Sequence, residues 1–503
     1  MLSIPKNIVL NVDIYCVKKY IDIFKIKIIL RMDYMFENSS EMLDFIKKND
    51  IKAICYKIID IQGNLKTVTI PAIDLTIEEF EDGYGFDGSN YGYAKVENSD
   101  MLFKGNCKTS SIDKFSKFKT ISMYADVFSL EDKGDVPFEQ YPHTILKKAV
   151  ELFQEKDIAD FIWFLPELEF YVFDKVSFNN MPEESHLFME SSAGNLMTGE
   201  NLTGYKSENG YHCSQPLDTL NDYRTELMLM AENQGIDVKY HHHEVGAAGQ
   251  IELELHGNNV NTHALNVIEL KYMAKNLALQ YGKTATFMPK PLRDHPGSGL
   301  HVHIKLMKNN KNLFFGTDDK YFGLSPLALK FLGGILKHGD SLLAFTNPSI
   351  NSYKRLVKGY EAPISKIFGK ANRTSAIRIP AYAQSETDKR IEFRPQDASC
   401  NPFLSFAAII MAGLDGILSD INPEKEGFGP FSQNSYQSDI EVQSLPNSLD
   451  QAINALKEDR AYLEVGNIFP SMLIDNWIKQ KEREIDEYNR QVTPWEFQKY
   501  YSF

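Results

Sequence analysis

A chain of 503 residues can bury a large core and has length enough for two or three domains. Its 54 Lys and Arg against 68 Asp and Glu leave a formal charge of −14, which argues against a nucleic-acid partner but allows an anionic substrate in a locally basic pocket. Five scattered cysteines (Cys16, Cys55, Cys107, Cys213, Cys400) without a CxxC pair indicate neither a zinc ribbon nor a disulfide framework, and no apolar run approaches a membrane span, so a cytoplasmic protein is expected.

The first 34 residues are assigned no role. Ile23 to Ile28 alternates like a strand without a partner, and Met32 and Met35 both precede a good helix start, so an over-long reading frame is one explanation. Asn38-Ser39-Ser40-Glu41 has the form of a capping box ahead of the apolar face Met42, Leu43, Phe45, Ile46. Ile51 to Ile59 and Leu65 to Ile70 predict two strands around a turn at 60–64. Gly83-Tyr84-Gly85-Phe86-Asp87-Gly88 matches GxGxxG by letter, but no strand enters it and no helix leaves it. A linker is expected over 131–143, then a helix with Pro142 near its start. After a strand around Glu167, a polar loop is expected from about Asn179 to Gly210. Helices follow at 221–234 and 262–281, with stops at Gly235 and Gly282, then at 324–343, 401–418, 448–459 and 476–491. Gly282-Lys283-Thr284 resembles the tail of a P-loop, but the required first glycine is Leu277, so there is no Walker A motif.

Four strands carry ionisable residues on one face. They are Glu167-Leu168-Glu169-Phe170-Tyr171, Ile251-Glu252-Leu253-Glu254-Leu255, His301-Val302-His303 and Arg390-Ile391-Glu392-Phe393-Arg394. Successive strand residues point to opposite faces, so the apolar members bury one face and the charged members share the other. Singly, each is a solvated charge ladder or a satisfied core histidine. Together they read as a sheet with a charged cavity on one side, suited to divalent metal and phosphate.

These stretches stand in an ordered series with Phe86-Asp87-Gly88-Ser89, His242-His243-Glu244-Val245, Gly249-Gln250-Ile251-Glu252, Ala285 to Pro291, Gly297-Ser298-Gly299-Leu300-His301, Asn347 to Pro363, Asn372-Arg373-Thr374 and Ile377 to Pro380. From about residue 38 to the C-terminus the series resembles glutamine synthetase of the type I class. The resemblance implies an α+β fold: a small N-terminal β-grasp domain (35–137) and a large catalytic domain (138–503) on a curved antiparallel sheet flanked by helices.

It also implies roles. One metal would be held by Glu169, Glu244 and Glu252, and a second by Glu167, His301 and Glu392, a hard, mostly oxygen ligand set suited to Mg²⁺ or Mn²⁺. Arg355, Gly297 and Arg394 would bind glutamate, and His303, Arg373 and Arg378 the nucleotide of ATP, with Arg373 also catalytic, at the phosphates and the reacting γ-carboxylate. Asp87 would deprotonate ammonium, and Glu361 would close over the intermediate. The implied partners are glutamate, ammonium, ATP and further copies of the chain, as a homododecamer of two stacked hexamers. A γ-glutamylpolyamine-type amine ligase is the alternative, and an idle homologue serving as a scaffold is a third reading. Asn90, Tyr141-Pro142-His143, Pro296 and Lys305 depart from the family pattern. Three consecutive histidines, His241 to His243, diverge too much for a zinc site and are expected to shape the segment before Glu244. Tyr436 resembles an adenylylated tyrosine in different surroundings, so that control is not predicted.

Overall fold

Asn38 opens the first described helix, Ser39–Lys48, where its Oδ1 accepts from Glu41 N at 2.9 Å. The return bond of the expected capping box lands one residue early, from Glu37 N to Glu41 Oε2. The structure is a computed structural model that describes residues 36–73, 75–93, 99–131, 134–181, 183–193, 209–358, 362–431 and 442–503. The 34-residue extension, Glu361 and Tyr436 lie outside these residues.

The hairpin of β1 (Ala53–Ile59) and β2 (Leu65–Pro71) turns on Asp60, whose Oδ1 accepts from Gln62 N and Asn64 N. β3 (Tyr84–Asp87), β4 (Asp100–Gly105), β5 (Ser111–Ile112), β6 (Thr120–Glu131) and β7 (Gly134–Pro137) complete a seven-stranded sheet. Its main path runs β2-β1-β6-β4-β3, with β1 and β6 parallel. Met42, Leu43 and Ile46 of the first helix share one core with Ile54, Tyr56 and Phe103 of the sheet. The GxGxxG lookalike is β3 itself, followed by a short 3-10 turn at Gly88–Tyr91, so it has no helix N-terminus to offer a phosphate. The segment expected as a linker contains β7, and Pro142 sits in the first turn of the helix Pro142–Glu155.

The larger sheet has ten strands: β8 (Phe161–Phe173), β11 (Val238–His243), β12 (Gln250–Leu255), β13 (Asn258–Asn259), β14 (Thr284–Thr286), β15 (Leu300–Lys308), β16 (Lys311–Asn312), β17 (Ser365–Lys370), β18 (Ser375–Ile379) and β19 (Ile391–Phe393). The path is β11-β12-β8-β15-β19-β18-β17. It is antiparallel except between β17 and β18, which makes the expected antiparallel sheet mixed at one edge. A hairpin of β9 (Lys175–Met181) and β10 (Glu184–Glu190) stands where the sequence reads as loop. Its apolar residues do not mark a buried face: Phe178 is 76% and Leu187 62% exposed.

The apolar face of the sheet (Phe164, Leu253, Val302, Ile304) joins the helices Val260–Gln280 and Pro402–Leu418 in one core, with Phe164 and Phe406 ring centroids 5.0 Å apart. The single helix expected over 324–343 is two, Pro326–Lys337 and Gly339–Thr346. The break is at His338, whose ring nitrogens each lie 2.9 Å from a carboxylate, Asp459 on one side and Asp415 on the other. The two domains meet over buried polar groups. Lys57 of β1 donates to both oxygens of Glu269 at 2.9 and 2.8 Å, and Tyr124 of β6 donates to Glu269 Oε2 at 2.7 Å.

Candidate active site

Strand register brings the charged residues together. Glu252 stands opposite Glu169 and Glu254 opposite Glu167 on β12 and β8. His301 faces Glu167 across β8 and β15, and Glu392 of β19 faces His303 on one side and Arg378 on the other. The strand-end turn before β12 needs Gly249: its φ is +99°, and a Cβ there would lie 2.5 Å from Val172 O.

The result is a cavity of about 1390 Å³ beside the sheet. Single-ligand pockets run to roughly 300–1,000 Å³, so this one has room for two substrates. Glu167, Glu169, Glu244, Glu252, His301, Gly297, Arg355, Arg373, Arg378 and Arg394 line it. His303 and Glu392 lie beneath the lining, both fully buried. Asp87 is not part of this lining; it is exposed on the small domain, where Ser89 N, Ser89 Oγ and the Asn90 amide hold its carboxylate at 2.6–2.9 Å. The Ser89 hydroxyl first, then the Ser89 N–H and the Ser99 side chain, keep its pKa below the usual aspartate value.

The cavity is electrically divided. Glu392 is clamped by Arg378 and, at 2.6 Å, by Arg394 Nη1. Burial would raise its pKa, but Arg394 leads a set of cations that hold it down. Glu167 behaves likewise, with His303 Nε2 at 2.7 Å and His301 Nδ1 at 3.1 Å outweighing burial. At the other end, burial and then the neighbouring Glu169 and Glu252 push Glu244 up to about 9. Glu244 Oε2 is buried and has no hydrogen-bond partner. Arg355 is fixed by the carbonyls of Pro395 (2.7 Å) and Arg394 (3.2 Å), with its Nη2 also 3.2 Å from His301 Nε2.

The three histidines diverge. His241 Nδ1 accepts from Arg224 Nε, and His243 Nδ1 lies 2.8 Å from Glu244 O. His242 alone points between Glu244 and Glu252, 3.6 Å from each. Tyr211 and His212 also line the cavity, stacked at 4.0 Å, with His212 edge-on to His242. They come from a loop with no periodic signal. The chain's departures have local partners. The Pro296 carbonyl accepts from Tyr171 Oη at 2.7 Å, His143 Nδ1 lies 2.9 Å from Asp126, and Lys305 Nζ donates to Thr387 O while stacking 4.4 Å above the Trp163 ring.

The family model for the glutamine synthetase catalytic domain matches residues 139–500, and that for the glutamine synthetase beta-Grasp domain matches residues 50–130. The chain belongs to the glutamine synthetase family. It is 40% identical over 480 residues to the glutamine synthetase of Streptomyces filamentosus, covering 93% of this chain and all of the relative. It is also 36% identical over 476 residues to a 3-hydroxylaminophenol mutase of Cupriavidus pinatubonensis, covering 93% and 100% of the two chains. The cryo-EM structure of Plasmodium falciparum glutamine synthetase superposes with a TM-score of 0.83 at 30% identity, over 92% of this chain and 99% of that one. Glutamine synthetases use ATP and a divalent metal, and the cavity residues fit a hard cation. Glu169, Glu244 and Glu252 crowd one another, and the buried Glu244 Oε2 makes no hydrogen bond, with His242 Nδ1 no nearer than 3.6 Å, so a hard cation would satisfy it better than the side chains do. One ligand atom each of His242, Glu244 and Glu252 lie within 4.8 Å of one another, as do those of Glu167, His303 and Glu392.

Proposed function

We propose that this chain joins ammonia to the γ-carboxylate of glutamate at the expense of ATP, giving glutamine, ADP and phosphate. The observation that carries the reading is the row of buried carboxylates, histidines and arginines that five neighbouring strands bring to one cavity. Glu169, Glu244 and Glu252 would hold one Mg²⁺ or Mn²⁺, and Glu167, His301 and Glu392 a second. When bound, the cations neutralise phosphate and carboxylate charge.

The remaining steps belong to the side chains. The fork of Arg355, already oriented by backbone carbonyls, takes the α-carboxylate of glutamate, beside Gly297 and Arg394. Arg373, Arg378 and His303 orient the nucleotide. A γ-carboxylate oxygen attacks the terminal phosphorus of ATP, and ADP leaves. Ammonia, freed of its proton by Asp87, then attacks the acyl carbon, and phosphate departs. Glu361, outside the described residues, keeps the shielding role that the family resemblance implies.

We place the boundary between the domains at 137/138, with residues 1–34 as an extension. No helix among the described residues is long and apolar enough to cross a membrane. A reducing cytoplasm suits the free thiols of Cys55, Cys107, Cys213 and Cys400. A dodecamer of two hexamers is favoured by Asp87, which the single chain leaves exposed and away from the cavity lining.

Glutamate-dependent phosphate release from ATP, measured over a panel of amines, tests the reaction. Release with ammonium and recovery of glutamine are expected. Release only with putrescine or another alkylamine would transfer the assignment to an amine ligase, and no glutamate-dependent release would overturn ligation altogether.

A further inference from the structure

Arg355 ends the short helix Ser352–Arg355, is almost wholly buried and lines the cavity. Its Nη1 donates to Pro395 O at 2.7 Å and to Gln396 O at 3.4 Å, and its Nη2 to Arg394 O at 3.2 Å. A planar guanidinium held on three consecutive carbonyls takes its direction from them. Those carbonyls lie just beyond the end of β19, so the strand ladder does not by itself fix where they point.

Two fully buried side chains, Asn347 and Asp397, tether that segment. Asn347 Nδ2 donates to Pro395 O at 2.6 Å and to Asp397 Oδ2 at 2.9 Å, while its Oδ1 accepts from Thr346 Oγ1 at 2.7 Å. Asp397 Oδ1 accepts from Ser399 N at 3.0 Å and from Ser399 Oγ at 2.5 Å. Pro395 has no N–H, so its carbonyl is the one backbone group by which it can be tied. That carbonyl has two lone pairs, and Asn347 and Arg355 each donate to it. The amide therefore sets the side from which the guanidinium approaches. Asp397 adds charge: burial lowers the Arg355 pKa, and Glu169 and then Asp397 oppose that. Neither Asn347 nor Asp397 lines the cavity, and their hydrogen-bonding atoms are engaged with protein groups, so their influence on a substrate passes through Arg355. We infer that Asn347 and Asp397 are positioning residues for glutamate, which fix the carbonyls of Arg394, Pro395 and Gln396 so that the Arg355 fork meets the α-carboxylate in one orientation. The role rests on the assignment of Arg355 to glutamate.

Steady-state kinetics of the full-length protein tests it. Asn347→Ala should raise the KM for glutamate roughly tenfold, with kcat and the KM for ATP within about twofold of the wild type. Because Asn347 works through Arg355, the effects should not add: in Arg355→Lys, the further change Asn347→Ala should move the glutamate KM by less than about twofold. An unchanged glutamate KM in Asn347→Ala, a KM for ATP that rises with it, or additive effects in the double variant would each overturn the positioning role and leave Arg355 its substrate. If Asn347→Ala does not fold, Asp397→Asn decides. It keeps the size of the side chain but turns an amide toward the Asn347 donor, so the same rise confined to glutamate is expected, and a glutamate KM like that of the wild type would overturn the role. If Arg355→Lys by itself leaves the glutamate KM unchanged, the assignment of Arg355 fails, and the positioning role with it.

Discussion

Glu392 shows how closely function and stability are bound in single residues of this site. It is fully buried between Arg378 and Arg394, so changing it to Ala removes a proposed ligand and leaves the buried Arg394 and the half-buried Arg378 without their shared carboxylate. Breaking one partner out of a buried ion pair costs about 3–5 kcal/mol. Glu392→Ala should therefore lose phosphate release and also unfold at lower urea; turnover like the wild type at limiting Mg²⁺ would remove Glu392 from the ligand set. Arg355→Lys separates orientation from charge. Lysine keeps the cation but cannot donate from a fixed fork to Pro395 O, Arg394 O and a substrate carboxylate together. The KM for glutamate should rise at least about tenfold, with that for ATP changing less; equal effects on both would argue that Arg355 serves the whole cavity.

At the scale of elements, the sheet was legible where side chains alternate and illegible where they do not. Glu167/Glu169, Glu252/Glu254 and His301/His303 announce their strands because charge and apolar residues take turns, and register then decides which of them meet. The β9/β10 hairpin has no buried face, so nothing in its pattern separates it from a polar loop. Tyr211, His212 and the inward turn of His242 depend on where a loop and a strand end come to rest, which periodicity does not encode. The break at His338 was hidden because apolar spacing continues through it. At the break an imidazole is held between Asp415 and Asp459, partners far along the chain that no local pattern reveals. Burial would raise the Asp459 pKa, but the hydrogen bond from His338 leads the effects that lower it. A depressed folded value means that this stability is present above the unfolded aspartate value, near 3.8, and lost as pH falls through the folded one. Asp459→Asn should accordingly lower the Tm at pH 7 and flatten the acid limb of the Tm profile; an unchanged acid limb would count against the pair. Gly249→Ala tests register itself. The left-handed φ and the Val172 carbonyl 2.5 Å from the new methyl should cost about 1–3 kcal/mol. Mn²⁺ affinity should fall with stability, because Glu252 moves with the strand.

For the whole molecule, the decisive separation is between Asp87 on the small domain and Arg355 in the cavity. A cyclic head-to-tail assembly would bring the Asp87 of one subunit to the cavity of the next. Asp87→Ala and Arg355→Ala should each be nearly inactive as pure proteins. Dissociated and reassembled together, they should recover part of the wild-type activity, in sites that contain both intact residues. Mixed assemblies without recovery would count against a shared site, and an active isolated monomer would exclude it.

The pairing of Lys57 with Glu269 sets a timetable for synthesis. The strand that carries Lys57 belongs to a sheet whose own residues end at Pro137, yet its buried partner lies 212 residues further along the chain. Glu269 comes 132 residues after Pro137, a stretch that at roughly 5–20 residues per second a ribosome needs about 7–26 s to make. During that interval the small domain can pack its own core while one flank, with an ammonium group made for burial, still faces water. Rare codons between the two positions would lengthen the wait.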